Sequence, residues 1–255
     1  MQKEEKDIMK QTNDNLETIL YNIIAELSKE KAPIVFKGAL ALKYQLYINN
    51  PNLDINRKTT DIDANWVEKY DENKIINIID SAVKQVDSNY KVRLYRKPEA
   101  NVSMGINILD ENEIIVSKID MDIKDNPFYV VCNIDDVDIK YSDFNKMMCD
   151  KLRSLSSEFV FRRVKDLLDV YLIISEDNIS KSNIEKVLKY ENKKIGNFST
   201  LLKNKEKIRQ GYEALKYVDN KPEFDIVWNA VINYLKKEKF IDKNLEKNID
   251  NNYER

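Results

Sequence analysis

The stretch Arg57-Lys58-Thr59-Thr60-Asp61-Ile62-Asp63-Ala64-Asn65-Trp66 decides how the rest of the chain is read. Its second half alternates. Asp61, Asp63 and Asn65 fall on one side of an extended strand, and Ile62, Ala64 and Trp66 on the other. The apolar side belongs to a core. The polar side sets two carboxylates next to each other, where they repel unless a cation lies between them. A hard divalent ion such as Mg2+ suits such oxygens and keeps several waters. The spacing alone is weak, because Asp120-Met121-Asp122 and Asp136-Val137-Asp138 repeat it in this acidic chain. A solvated edge strand gives the same pattern, so the neighbourhood has to decide.

Upstream, Ile34-Val35-Phe36 reads as a short buried strand. Lys37-Gly38 then opens a helix with Ala39, Leu42 and Leu46 on one face, broken by Asn49-Asn50-Pro51-Asn52. A helix N-terminus carrying a glycine offers free backbone N–H groups to an anion. With only four glycines in 255 residues, one at this junction is informative. An amphipathic helix precedes it, with Leu16, Ile19, Leu20, Ile23, Ile24 and Leu27 at helical spacing.

Downstream, Ile76, Ile79, Val83 and Val86 mark another helix. Strand-like runs follow at 90–94, 102–108, 113–124 and 128–132, which predicts an antiparallel meander. On the third of these runs Asp120 and Asp122 share a face. A strand, a glycine-opened helix, an Asp-x-Asp strand, a helix and a further acidic strand can gather three carboxylates around one or two metal ions, beside a phosphate-binding turn. From Asp143 the pattern is helical, with stripes at Val160, Val164, Leu167, Leu168 and Tyr171 and at Val227, Val231 and Leu235. The expected fold class is α+β, with a mixed sheet-and-helix domain over 1–142 and a helical domain over 143–255.

Composition removes many chemistries. The chain has no histidine, so there is no Ser-His-Asp triad, no HExxH zinc helix and no imidazole base. Gly38, Gly105, Gly196 and Gly211 lie too far apart for a P-loop or a dinucleotide fingerprint. Cys132 and Cys149 form neither a CxxC pair nor a disulfide framework, which suits a reducing, cytoplasmic setting. Lys+Arg 42 against Asp+Glu 44 nearly cancel, so no global basic charge points to nucleic acid. Residues 181–247 are locally basic, with 16 Lys+Arg against 10 Asp+Glu, a balance that could hold RNA or merely cover solvated helices. No apolar run approaches the ~20 residues of a membrane span, and MQKEEKDIMKQ lacks the apolar stretch of a signal peptide. Carboxylates, lysines, hydroxyls or a metal must carry any chemistry.

The ordered motifs resemble a known family. Phe36-Lys37-Gly38-Ala39-Leu40-Ala41-Leu42, followed by Arg57-x-Thr59-x-Asp61-Ile62-Asp63, is similar to the AbiEii-type nucleotidyltransferases of the polymerase-β-like superfamily. Met121-Asp122-Ile123 with Pro127 resembles that family's third-carboxylate strand. Lys151-Leu152, then Arg163-x-Lys165-Asp166-Leu167-x-Asp169-x-Tyr171, resembles its helical motifs, and the likeness runs from residue 34 to 175. Ala39 and Leu40 depart from it, standing where the family has glycine and a hydroxyl residue; Thr59, Thr60 or backbone N–H groups are the available substitutes.

The resemblance implies a nucleotidyltransferase fold, a mixed sheet flanked by helices, followed by a helical domain. It implies transfer of a nucleoside monophosphate from an NTP to an acceptor hydroxyl, with Mg2+, two ions in all, as cofactor. Asp61, Asp63 and Asp122 would hold the metals, with Asp122 preferred to Asp120 on the family pattern and able to accept the acceptor's proton. Lys151 would meet the triphosphate or acceptor, and Asp166 would orient Lys151 or the acceptor. Lys37, Gly38, Arg57 and Thr59 would bind phosphate. Plainer readings stand beside these: a solvated Lys151, Asp166 paired with Arg162, Lys165 paired with Asp169, and an Arg57 that only neutralises the acidic strand. The likeness further implies a cytoplasmic toxin of a toxin–antitoxin or phage-defence pair, without membrane association, with a tRNA 3′ end as acceptor and a cognate antitoxin as partner. Two alternatives stay open: a small-molecule, aminoglycoside-type nucleotidyltransferase, and a degenerate nucleotide binder without turnover.

Overall fold

The computed structural model describes residues 2–53, 55–98, 102–176, 179–216 and 218–241, with side chains from residue 15 onward. In chain order the elements are α1 (Gln2–Lys29), β1 (Ile34–Lys37), α2 (Gly38–Asn49), β2 (Asn56–Arg57), β3 (Asp61–Trp66), α3 (Glu72–Val86), β4 (Lys91–Arg96), β5 (Ser103–Leu109), β6 (Ile115–Ile123), β7 (Tyr129–Ile134) and β8 (Val137–Ser142). There follow α4 (Phe144–Leu155), α5 (Val164–Ile173), α6 (Lys181–Tyr190), α7 (Ser199–Lys203), α8 (Lys205–Glu213), β9 (Val218–Asp219) and α9 (Phe224–Lys237). They fall into two compact units: Met1–Pro51 with Arg57–Ser142, and Asn52–Asn56 with Asp143–Arg255.

The first unit is built on a seven-stranded mixed sheet in the order β4-β5-β6-β3-β1-β8-β7. β4, β5 and β6 form the antiparallel meander that their alternation predicts. β6 then runs parallel to β3, β3 antiparallel to β1, and β1 parallel to β8. Strands β3 and β6 turn alternate apolar residues into the core, Ile62, Ala64 and Trp66 on β3 and Ile119 and Met121 on β6, while β1 and β5 are buried on both faces. Leu20, Ile23, Ile24 and Leu27 of α1, and Ile75, Ile79, Ala82 and Val83 of α3, complete this core. Asp71 caps α3 by accepting the Lys74 N–H.

Three features depart from the sequence expectation. The run at 128–132, expected to continue the meander, forms β7 at the opposite edge of the sheet and pairs with β8. The first helix begins at Gln2, well before the apolar stripe that identifies it. β8 was not anticipated, because Asp136-Val137-Asp138 read only as another acidic pair. Here Val137, Ile139 and Tyr141 alternate into the core. Asp135 and Asp136 make the two-residue turn from β7, both at positive φ (49° and 61°), as the primed hairpin turns require.

The second unit is mainly helical. Asp143 caps α4 through the Lys146 N–H. α4 buries Met147, Met148, Cys149, Leu152 and Leu155, and α5 is buried along nearly its whole length. Among the described residues, no helix is long and apolar enough to cross a membrane.

Candidate active site

Strand register assembles the polar face of the first unit. One row crosses five strands: Arg96 on β4, Gly105 on β5, Asp120 on β6, Asp63 on β3 and Lys37 on β1. Paired residues share a face, so this row is a band of charge with one glycine gap. Asp61 stands opposite Lys118 on one side of it. On the other side Asp122 stands opposite Asn65. The face therefore carries four carboxylates, Asp61, Asp63, Asp120 and Asp122, on two adjacent parallel strands.

Gly38 joins this band to a helix. Its φ is +72°, a left-handed conformation that strains any residue with a side chain. It also lies tight against Asp63: a Cβ there would be 2.2 Å from Asp63 Oδ2 and 2.8 Å from Asp63 Cβ. The turn and the Asp-x-Asp strand are thus packed as one piece. α2 starts at Gly38, and Lys37 at its N-cap makes no side-chain capping bond. The helix start presents backbone N–H groups beside Asp63. Leu40, where a hydroxyl would be expected, is buried in the core.

The side chains on this face are tethered individually. Thr59 Oγ1 donates to Asp61 Oδ1 at 2.7 Å, so its hydroxyl orients a carboxylate. The Thr59 N–H reaches Glu17 Oε1 at 3.3 Å, and Glu17 is also paired with Lys43. Lys37 Nζ lies 2.5 Å from Asp122 Oδ2 and reaches past β3 to make that contact. Asp120 Oδ1 accepts from Tyr95 Oη at 2.7 Å and from the Arg96 guanidinium at 2.6 Å. Burial, then the bond to Asp120, push the Tyr95 phenol above its ordinary pKa, so it remains a donor at neutral pH. Arg57, on β2, is half-buried.

Asp61, Asp63 and Asp122 share this face but do not close into a three-carboxylate cluster. Among the described residues, no group of three acidic or thiol side chains is gathered to hold an ion. The cause is visible in the contacts: Lys37 draws Asp122 aside, and Asp120, not Asp122, is in register with Asp63. Asp61 and Asp63 by themselves still match the donor chemistry of Mg2+. That ion is usually held by one or two carboxylates and completed by water and phosphate oxygens.

In the second unit, Lys151 of α4 sits between two carboxylates of α5. Its Nζ is 2.8 Å from Asp166 Oδ1 and 2.6 Å from Asp169 Oδ2. Asp166 is 2% and Asp169 0% exposed, and Lys151 14%. The solvated-lysine reading is therefore wrong, and so is the pairing of Asp169 with Lys165, which is exposed.

Sequence reading missed Tyr95, Arg96 and Glu17. Gly105 was the available signal for the first two, because a glycine inside a strand marks a bulge or a close approach. Glu17 gave none, since it reads as a polar residue between the apolar positions of α1.

A glycine turn packed on an Asp-x-Asp strand, in the middle of a seven-stranded mixed sheet, is the arrangement expected of a nucleotidyltransferase. A family profile agrees: that of the AbiEii nucleotidyl transferase toxin of type IV toxin–antitoxin systems matches residues 18–242. The chain belongs to the AbiEii nucleotidyltransferase toxin family. Among solved structures it is similar to JHP933 from Helicobacter pylori (TM-score 0.56, 13% identity, 94% of each chain covered). It is also similar to MenT4, a nucleotidyltransferase toxin from Mycobacterium tuberculosis (TM-score 0.54, 9% identity, 92% of this chain and 87% of that one). At such identity the likeness is one of fold. No curated protein matches the chain.

Proposed function

We propose that the polar face of the first unit transfers a nucleoside monophosphate from an NTP to an acceptor hydroxyl, with the 3′ end of an RNA such as tRNA as acceptor. The observation that carries this reading is the contact of Gly38 with Asp63, which sets an anion-binding helix start against a metal-suited carboxylate pair.

Each residue has a role in it. Backbone N–H groups at the start of α2 receive the triphosphate. Asp61 and Asp63 hold Mg2+, and Thr59 fixes the rotamer of Asp61. Two such ions, when bound, neutralise charge on the phosphoryl oxygens and lower the pKa of the attacking hydroxyl. The third carboxylate comes from β6, which offers Asp120 in the row of Asp63 and Asp122 beside Lys37. Lys37 is suited to exchange Asp122 for a phosphate oxygen, and Arg57 is the further phosphate contact. Lys151, with Asp166 and Asp169 fixing its ammonium, is the remaining candidate contact for triphosphate or acceptor. Most of the rate comes from positioning and charge complementarity, which needs no histidine.

In the cell this reading makes the protein a toxin, cytoplasmic, with a cognate antitoxin. The test is incubation of the purified protein with each labelled NTP, Mg2+ or EDTA, and total RNA. Label at RNA 3′ ends that EDTA abolishes supports the proposal. Unlabelled RNA overturns it, and a parallel reaction with an aminoglycoside and an NTP titration then separate small-molecule transfer from binding without turnover.

A further inference from the structure

We propose that Tyr95 and Arg96 form a clasp that positions the carboxylate of Asp120 for nucleotidyl transfer. The inference rests on the transfer reading above and adds two residues to its machinery.

Four features of β4 and β5 converge on one oxygen. The pairing of β4 with β5 shifts between Leu94 and Arg96, a bulge that turns Tyr95 and Arg96 toward the same point on the neighbouring strand. That point is Gly105, whose missing side chain leaves the space the tyrosine uses. A Cβ on Gly105 would lie 2.3 Å from Tyr95 Cζ and 2.7 Å from its oxygen. The phenol thereby crosses β5 and reaches Asp120 on β6. Arg96 reaches the same Asp120 Oδ1, and its guanidinium also lies 3.4 Å from the Met104 carbonyl and 5.7 Å from the Tyr95 ring centre.

The stability of an exposed ion pair does not account for this arrangement. Tyr95 is 42% exposed, and the Arg96 and Asp120 side chains 47% and 32%. Ion pairs at such exposure contribute little to stability, while a glycine and a bulge both weaken a strand. What the clasp does achieve is orientation. Two donors occupy both lone pairs of Oδ1, which fixes the plane of the carboxylate and assigns any contact with an ion or an acceptor hydroxyl to Oδ2. Asp120 also stands opposite Asp63, so a fixed Asp120 sits beside the Asp-x-Asp strand. Asp122 stands opposite Asn65 instead, two residues along the strand, and is held by Lys37. Tyr95 and Arg96 act through Asp120 and are positioning residues.

The test uses the full chain with Arg96→Gln, Arg96→Lys, Tyr95→Phe, Gly105→Ala and the double variant Tyr95→Phe/Arg96→Gln. Three quantities are measured: steady-state NMP transfer, Mn2+ affinity by EPR, and thermal midpoint. Partners that orient ion-binding carboxylates are worth about 10- to 100-fold. Arg96→Gln and Gly105→Ala should lower kcat and weaken Mn2+ binding by about that factor, leaving the KM for NTP nearly unchanged. Arg96→Lys, which keeps a charged donor, should recover part of both, and thermal midpoints should stay close to wild type. Unchanged kcat and Mn2+ affinity in the double variant overturn the clasp. So does an activity loss that follows loss of folded protein while Mn2+ affinity per folded molecule is constant. If the wild-type protein transfers no nucleotide at all, the transfer reading fails by itself. Mn2+ affinity then still decides the clasp: weakened binding in Arg96→Gln upholds its hold on Asp120, and unchanged binding overturns it.

Discussion

Gly38 and Asp63 are in contact so close that no side chain fits between them: a Cβ on Gly38 would stand 2.2 Å from Asp63 Oδ2. The turn that opens α2 and the strand that carries the carboxylates therefore cannot be altered independently. Gly38→Ala should move Asp63 and strain a backbone held at φ +72°. The left-handed conformation alone costs about 1–2 kcal/mol for a residue with a Cβ. A displacement of about 1 Å at a reacting group can cost about 100-fold in rate. NMP incorporation by Gly38→Ala should fall by that order, with a modest loss of stability in urea titration.

Thr59 provides a milder test of the same strand. Its hydroxyl holds Asp61 at 2.7 Å. Thr59→Val keeps the shape and removes the donor, while Thr59→Ser keeps the donor. A single hydrogen bond of this kind contributes about 1 kcal/mol to stability. Valine should lower transfer clearly, serine should restore it, and thermal denaturation should scarcely separate the two.

Lys151 makes the opposite prediction. It is a largely enclosed cation between the buried Asp166 and Asp169. Removing one partner of a buried ion pair costs about 3–5 kcal/mol, because the remaining charge is left uncompensated. Lys151→Met should lower the urea midpoint strongly, and adding Asp166→Asn with Asp169→Asn should recover much of the loss. Activity must be compared per folded molecule, since Lys151 is proposed to serve both roles.

Alkaline pH should destabilise the protein. Burial pushes the Cys149 thiol from 9.0 up to about 12, and burial also raises the phenols of Tyr44, Tyr141, Tyr212 and Tyr234. Between the unfolded and folded values the unfolded chain has released protons that the native state still binds. Stability is then complete below about pH 9 and declines as pH rises through that window. Denaturant titrations at increasing pH should show this fall. A thiol-reactive dye at pH 8 should miss Cys149, which is fully buried, and label it only after unfolding.

The polar and apolar faces of β3 were legible in the sequence because a strand's period fixes them: Asp61 and Asp63 could only share a side. Gly38 was legible because glycine is so scarce here. Which acid of β6 meets Asp63 was not, since Asp120 and Asp122 lie on the same face and only the parallel pairing of β3 with β6 separates them. Tyr95 and Arg96 were hidden for a related reason. A bulge moves two consecutive side chains to one place, and no alternation pattern encodes that. β8 escaped because its acidic residues masked the Val137-Ile139-Tyr141 alternation. The surroundings of Lys151 escaped because helical spacing offered nearer partners on its own surface than the two buried carboxylates of α5.

The account stands most directly on Asp63, which joins the glycine turn to the carboxylate strand. Asp63→Asn keeps the size of the side chain and removes its charge. Mg2+-dependent incorporation of labelled NTP into RNA should drop to background in this variant, while its thermal midpoint stays near wild type. Full incorporation by Asp63→Asn would contradict the assignment of this face as the transfer site.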